Sequence, residues 1–274
     1  MSLTRIVSGA AIVAILAGTV VFLPAWATVG LAALASAAAA IELAALARKA
    51  GAVVPGLFVA ASSAAMTLIV GLAPTGLQSW RGTDVPIEIA VLVVAVGAGL
   101  LALALNPPGP PVFAAAGTMV LAPLYIGAPL GAMSWLVTAE ASRALGWLIL
   151  VIAVSDSFQY FVGSAIGRNK LAPIVSPGKT IEGLVGGLVA AVIVGAAAGS
   201  WVFSDLPIWQ TGLLAVVLAL FGVGGDLFES LLKRSVGAKD SGALIPGHGG
   251  VLDRIDAYLF AAPVFYVALR YLQW

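Results

Sequence analysis

Apolar runs long enough to cross a bilayer recur along the whole chain, separated by short polar breaks or breaks rich in proline and glycine. A span needs roughly 20 mostly apolar residues. Runs of that kind predict helices near 5–23, 27–47, 53–73, 86–105, 112–137, 143–163, 181–203, 208–231 and 251–272. The breaks carry loop chemistry, as in Asn106-Pro107-Pro108-Gly109-Pro110-Pro111 and Ser204-Asp205-Leu206-Pro207. Within 112–137, Pro123, Gly127, Pro129 and Gly131 could break the run into two short pieces. The first run has the hydrophobicity of a signal peptide but no well-placed small-residue cleavage site, and reads as a retained span. The predicted architecture is an all-α polytopic integral membrane protein of about nine transmembrane helices. No internal repeat is visible, so an inverted-repeat transporter has no support from the pattern.

Composition agrees: 61% of residues are hydrophobic and only 9% charged, too little polar surface to cover a soluble domain of 274 residues. With a net charge of +1 there is no electrostatic case for nucleic acid. Cysteine is absent, which excludes disulfides, zinc–thiolate sites and thiol nucleophiles. Lysine and arginine set the expected orientation. With a cytoplasmic N-terminus, Arg5, Arg48, Lys49, Arg168, Lys170, Lys179, Lys233, Arg234, Lys239 and Arg254 lie inside, and only Arg81, Arg143 and Arg270 outside. That bias predicts N-in and C-out, with the charged loops 164–180 and 232–250 in the cytoplasm. The expected division is 1–140, membrane helices acting as scaffold, lipid-facing or dimerisation surface, and 141–274, catalytic membrane helices.

One stretch breaks the apolar pattern. Residues 226–256 gather Asp226, Glu229, Asp240, Asp253 and Asp256 with Lys233, Arg234, Lys239, Arg254 and the only histidine, His248. A polar cluster between two spans marks a functional site by default, because unpaired charge there is costly. Asp226 and Glu229 are three apart and share a helix face, as do Asp253 and Asp256; Asp156 lies about two turns inside the sixth span. Carboxylates from three helices at one depth suit a hard cation such as Mg²⁺. For Asp253 and Asp256 metal ligation is preferred over the blander reading, compensation of a helix N-terminus with pairing to Arg254. Lys233, Arg234, Lys239, Arg168, Lys170 and Lys179 could neutralise a triphosphate, although the positive-inside bias accounts for part of this charge. Gly249 and Gly250, beside His248 and before a helix start, suit close approach of backbone N–H groups to an anion. In the seventh span Gly183, Gly187, Ala191, Gly195 and Gly199 recur every fourth residue, a face for close helix packing. Ser176-Pro177-Gly178-Lys179-Thr180 ends like a Walker A loop, but the required earlier glycine is Pro173 and a P-loop is rejected.

The run Ser230-Leu231-Leu232-Lys233-Arg234, four residues, then Lys239-Asp240-Ser241-Gly242-Ala243-Leu244-Ile245-Pro246-Gly247-His248-Gly249-Gly250-Val251-Leu252-Asp253-Arg254-Ile255-Asp256 resembles the full signature of the phosphatidate cytidylyltransferases, or CDP-diacylglycerol synthases. Asp156-Ser157 with Tyr160-Phe161-Val162-Gly163, and Ser176-Pro177-Gly178-Lys179-Thr180-Ile181-Glu182-Gly183, resemble the same family. The resemblance covers roughly 150–265. Phe158-Gln159 stands where the family often has small residues, and Gly178 and Ile181 replace a common lysine and tryptophan.

The resemblance implies an integral enzyme, a homodimer, that joins CTP to phosphatidic acid and releases pyrophosphate. Its expected place is a bacterial inner membrane, with the site open to the cytoplasm. On this reading Asp156, Asp226, Asp253 and Asp256 hold Mg²⁺, with room for a second cation such as K⁺. Lys233, Arg234 and Lys239 hold pyrophosphate or lipid phosphate, and His248 contacts phosphate. Ser176, Lys179, Thr180, Gly249, Gly250 and Arg254 contact the nucleotide. Two alternatives are a CTP-dependent polyprenol kinase, which passes the γ-phosphate instead, and a cation-coupled transporter, which wants acids near the midplane and repeated halves. A CDP-alcohol transferase lacks its D-G-x-x-A-R start here.

Overall fold

The structure is a computed structural model that describes residues 18, 22–73, 87–138, 142–245, 247 and 249–271. The expected span 5–23 lies almost wholly outside these residues. Contacts divide the chain into two compact units: Met1–Glu140 with Ser235–Ile255, and Ala141–Arg234 with Asp256–Trp274. The segment 235–255, expected with the catalytic half, thus packs with the N-terminal helices.

In the first unit, α1 (Ala25–Lys49), α2 (Gly56–Gly71), α3 (Ile87–Leu105), α4 (Pro110–Ala122) and α5 (Ala128–Thr138) follow the apolar runs. Gly51, at φ +85°, takes the left-handed conformation that ends α1. Asn106 then fixes the α1–α2 connection, accepting from Val53 N at 2.9 Å and donating to Val53 O at 3.1 Å. The prolines and glycines of 112–137 do not split that run. One π turn (Pro123–Gly127) joins α4 to α5, so that Pro110–Val137 is a single apolar rod. Proline removes a backbone donor and loosens the ladder there. The hydroxyl of Thr67 answers Gly127 O at 3.0 Å. At Gly127 a Cβ would stand 2.5 Å from Ser63 O, so glycine is what lets α2 approach.

In the second unit, α6 (Ser142–Ile166), α7 (Ile181–Val202), α8 (Ile208–Ser235) and the continuation of α9 (Leu252–Tyr271) pack around Trp147. Its indole donates to Gly195 O at 3.0 Å, stacks on Phe265 and meets Phe203 edge-on. The small-residue face of α7 is buried within this unit. A Cβ on Gly187 would sit 2.7 Å from Ser155 O of α6, and one on Gly199 would strike Thr211 of α8. The partner helices of that face therefore belong to the same chain. Between α6 and α7 the chain forms a hairpin not expected from the pattern, β1 (Lys170–Ala172) antiparallel to β2 (Ser176–Thr180), with Lys170 opposite Thr180 and Ala172 opposite Ser176.

Six described helices are long and apolar enough to cross a membrane; α2, at 16 residues, is shorter. They leave large apolar side chains outward, among them Leu57, Leu103 and Phe113, each more than 80% exposed. Exposed apolar surface on that scale suits lipid rather than water. The chain is an all-α membrane protein.

Candidate functional site

The hairpin places the first functional side chain. Thr180 ends β2 and caps α7, its Oγ1 accepting from Gly183 N at 3.1 Å. Glu182, in the first turn of α7, accepts from the backbone of Arg168 and Asn169 and from the Asn169 amide, which pins the hairpin base to the helix. Lys179, the residue before the cap, reaches Asp226 on α8, Nζ to Oδ2 at 2.5 Å. The other Asp226 oxygen accepts from Ser230 Oγ at 3.3 Å. Both residues line a small cleft with Asp156, Gln159 and Ser155 of α6. Ile152, Ala219, Gly222, Val223 and Ala257 close it with apolar surface.

Asp256 enters the same neighbourhood from α9, where the charges of Asp226, Lys233 and Asp156 act on it. Gly225 makes this possible. A Cβ there would overlap the Asp256 carbonyl oxygen and stand 3.4 Å from Ala257 Cα, so α8 and α9 meet backbone to backbone beside the acids. One turn on, Glu229 is fully buried and ion-paired with Lys233.

A second acidic node belongs to the first unit. Asp253, in the first turn of α9, accepts at Oδ2 from Ser241 N at 3.0 Å, Ser241 Oγ at 2.9 Å and Gly250 N at 2.8 Å. Glu42 of α1 is also buried there. It accepts from Val251 N at 3.0 Å and Leu252 N at 2.9 Å, and it shares the single proton of Ser241 Oγ, 3.0 Å away, with Asp253. Gly249 turns the loop back at φ +81°, and its carbonyl accepts from Ile245 N at 2.9 Å. The N-terminus of α9, expected to attract a phosphate, thus holds the protein's own carboxylates on the N–H groups of Gly250, Val251 and Leu252.

The structure brings Asp156, Lys179, Asp226, Lys233 and Asp256 together in the second unit. It places Asp253, Gly249 and Gly250 in the loop node of the first. Lys239 and Arg254 are exposed; Arg234 is exposed and donates weakly from Nε to Val175 O at 3.4 Å. Ser176 lies in β2, half-buried, and Thr180 Oγ1 accepts from Gly183 N at the α7 cap. His248 lies outside the described residues. Sequence reasoning missed Glu42, although a lone carboxylate among alanines and leucines in a span was a signal in plain sight. It also missed the Glu229–Lys233 pair, whose i,i+4 spacing was legible. Among the described residues no three histidine, aspartate or glutamate side chains form a ready metal cage. The donors available are carboxylate oxygens without any thiolate, which is the chemistry a hard cation takes in ones and twos, completing its shell with water and phosphate.

Three relatives bear on this geometry. A phosphatidate cytidylyltransferase of Staphylococcus haemolyticus is 34% identical over 217 residues, 79% of this chain and 79% of its own. Another of Staphylococcus aureus (strain COL) is 40% identical over 131 residues, 48% and 50% of the two chains. The uncharacterized protein YnbB of Escherichia coli (strain K12) is 40% identical over 144 residues, 50% and 48%. The chain matches about half the length of the latter two. The model of the cytidylyltransferase family matches residues 3–272, and the chain belongs to that family.

Proposed function

We infer that this chain is a phosphatidate cytidylyltransferase, joining CTP to phosphatidic acid to give CDP-diacylglycerol and pyrophosphate. Family membership and the relatives' names support the reaction. The observation that carries the site is the cleft among membrane helices where Lys179 meets Asp226 beside Asp156. Charged groups are expensive at such positions, and they persist where they handle charged substrates.

A phosphatidate oxygen attacks the α-phosphorus of CTP as the bond to pyrophosphate breaks. A phosphate at its second pKa is a competent nucleophile, so positioning and charge neutralisation are most of what the protein must supply. Lys179 and Lys233 answer the charge that builds on the phosphates, and Arg234 and Lys239, both exposed, receive the polyphosphate. His248 is assigned a phosphate contact. Asp156, Asp226 and Asp256 would hold Mg²⁺, and a second cation such as K⁺ would share them, while Asp253, engaged by Ser241 and Gly250 N, fixes the start of the helix that carries Asp256. Bound there, the cation supplies Lewis-acid stabilisation of phosphate oxygens. The enzyme has about nine spans, N-in and C-out, sits in an inner membrane as a homodimer, and opens its site to cytoplasmic CTP at headgroup level. The bias of lysine and arginine supports that orientation.

The deciding experiment is pyrophosphate release from CTP by purified protein with phosphatidate and Mg²⁺ added. Release that needs all three supports the reading. Formation of CDP would point to a kinase, and no turnover with any lipid would remove the enzyme.

A further inference from the structure

We propose that Glu42, on an N-terminal helix outside the signature, is a positioning residue for cytidylyl transfer, holding the 241–252 loop and the start of the helix that carries Asp253 and Asp256. The inference rests on the transferase reading and extends it to residues 1–140, for which the motifs assign no chemistry.

Glu42 is only 8% exposed on a helix otherwise built of alanine, leucine and isoleucine around it. A buried carboxylate is costly unless hydrogen bonds answer it. All three donors that answer this one come from a loop about 200 residues further on: Ser241 Oγ, Val251 N and Leu252 N. The loop is shaped around it. A Cβ on Gly242 would stand 2.6 Å from Glu42 Oε1, and one on Gly250 would lie 2.6 Å from Glu42 Cδ. Those two glycines of the signature are thereby explained by a residue outside it. Ser241 ties the arrangement to Asp253, its hydroxyl lying within 3.0 Å of both carboxylates. Since Val251 and Leu252 open α9, Glu42 also serves as that helix's cap, supplied from a distant part of the chain. A loop built on glycine has little stiffness of its own. Its conformation is set by what it is bonded to, and a small misplacement of a catalytic group costs about a hundredfold in rate.

The test uses the full chain in detergent or lipid nanodiscs, with Glu42→Gln as the principal variant and Glu42→Asp and Ser241→Ala beside it. Glu42→Gln keeps the shape and one acceptor, so the protein remains monodisperse. Turnover is expected to fall by about ten- to a hundredfold, with KM for CTP and phosphatidate within about twofold of wild type. Hydrogen exchange at Val251 and Leu252 is expected to accelerate, while α6 and α7 keep their protection. Glu42→Asp restores part of the rate. Combining Glu42→Gln with Ser241→Ala costs no more than Glu42→Gln alone, because both act through one network. Wild-type turnover in Glu42→Gln overturns the proposal, and so does a loss that merely tracks loss of protection throughout the chain. A wild type that releases no pyrophosphate speaks against the transferase reading instead, and the two failures are distinguishable.

Discussion

The two acidic nodes are built from the same side chains and resolved in opposite ways. In the first unit Glu42 and Asp253 are answered by backbone N–H groups and one hydroxyl. In the second, Asp226 is answered by Lys179 at a cleft with Asp156, and Asp256 accepts from Ala257 N at 2.8 Å within reach of the charges of Asp226 and Lys233. Neutral donors fixed by the backbone hold a carboxylate still and define a conformation. Mobile cationic side chains neutralise it and can be exchanged for another cation or for a substrate's partner charge. The difference assigns shape to the first node and chemistry to the second, and each assignment can be broken separately.

The largest effect is expected at the second node. Asp226→Asn and Asp256→Asn should remove several kcal/mol of transition-state stabilisation, about a thousandfold in rate, with the fold intact. CDP-lipid formation from labelled CTP, set beside a thermal melt, checks both halves. Near-normal turnover in either variant would erase the contrast between the nodes.

Next is the buried pair one turn along α8. Lys233→Met leaves Glu229 uncompensated in the interior, a change that costs about 3–5 kcal/mol. The double variant Glu229→Gln/Lys233→Met removes both charges and should recover most of the melting temperature. Turnover should stay low in the double variant, because Lys233 also acts on Asp256. Recovery of stability and turnover together would make Lys233 a packing residue and nothing more.

How far the sequence reached depends on the range of the interaction. Apolar runs foretold the helices because burial and lipid contact act residue by residue, and Pro110–Val137 alone was in doubt because proline and glycine weaken a helix locally. The answer, a hydroxyl from Thr67 on Gly127 O, comes from 60 residues away and leaves no trace in the run itself. The acids of 226–256 were legible as a group. Their sorting into two nodes was not, since it depends on Glu42, some 200 residues from its donors. The hairpin was hidden for another reason: Lys170–Thr180 is too short and too polar to show alternation, and its strands are held by Glu182 and the Thr180 cap.

A smaller effect sharpens the comparison by moving helices instead of charges. Gly225→Ala pushes a methyl into the Asp256 carbonyl, where backbone cannot yield as a side chain can. Overpacking of this kind costs about 1–3 kcal/mol. Turnover should fall further than stability, since the displaced segment carries Asp256. In the first node Gly249→Ala adds the strain of a φ of +81° and brings a methyl to 2.7 Å from Asp253 Oδ2, so the melt should fall and turnover with it.

The smallest expected effect separates two roles for one residue. Thr180 was a candidate nucleotide contact, yet its Oγ1 is engaged by Gly183 N at the start of α7. As a cap, Thr180→Ala should cost about 1 kcal/mol, and Thr180→Ser, which keeps the oxygen, almost nothing. Its neighbour Lys179 reaches Asp226 only from the end of a strand that the cap anchors, so Thr180→Ala should lower turnover by no more than about fivefold, the factor that about 1 kcal/mol corresponds to. Were Thr180 instead bound to a phosphate in the transition state, turnover in Thr180→Ala would drop far more than the melt accounts for. Measuring both variants by melt and by pyrophosphate release places the residue with shape or with chemistry, the same division that separates the two acidic nodes.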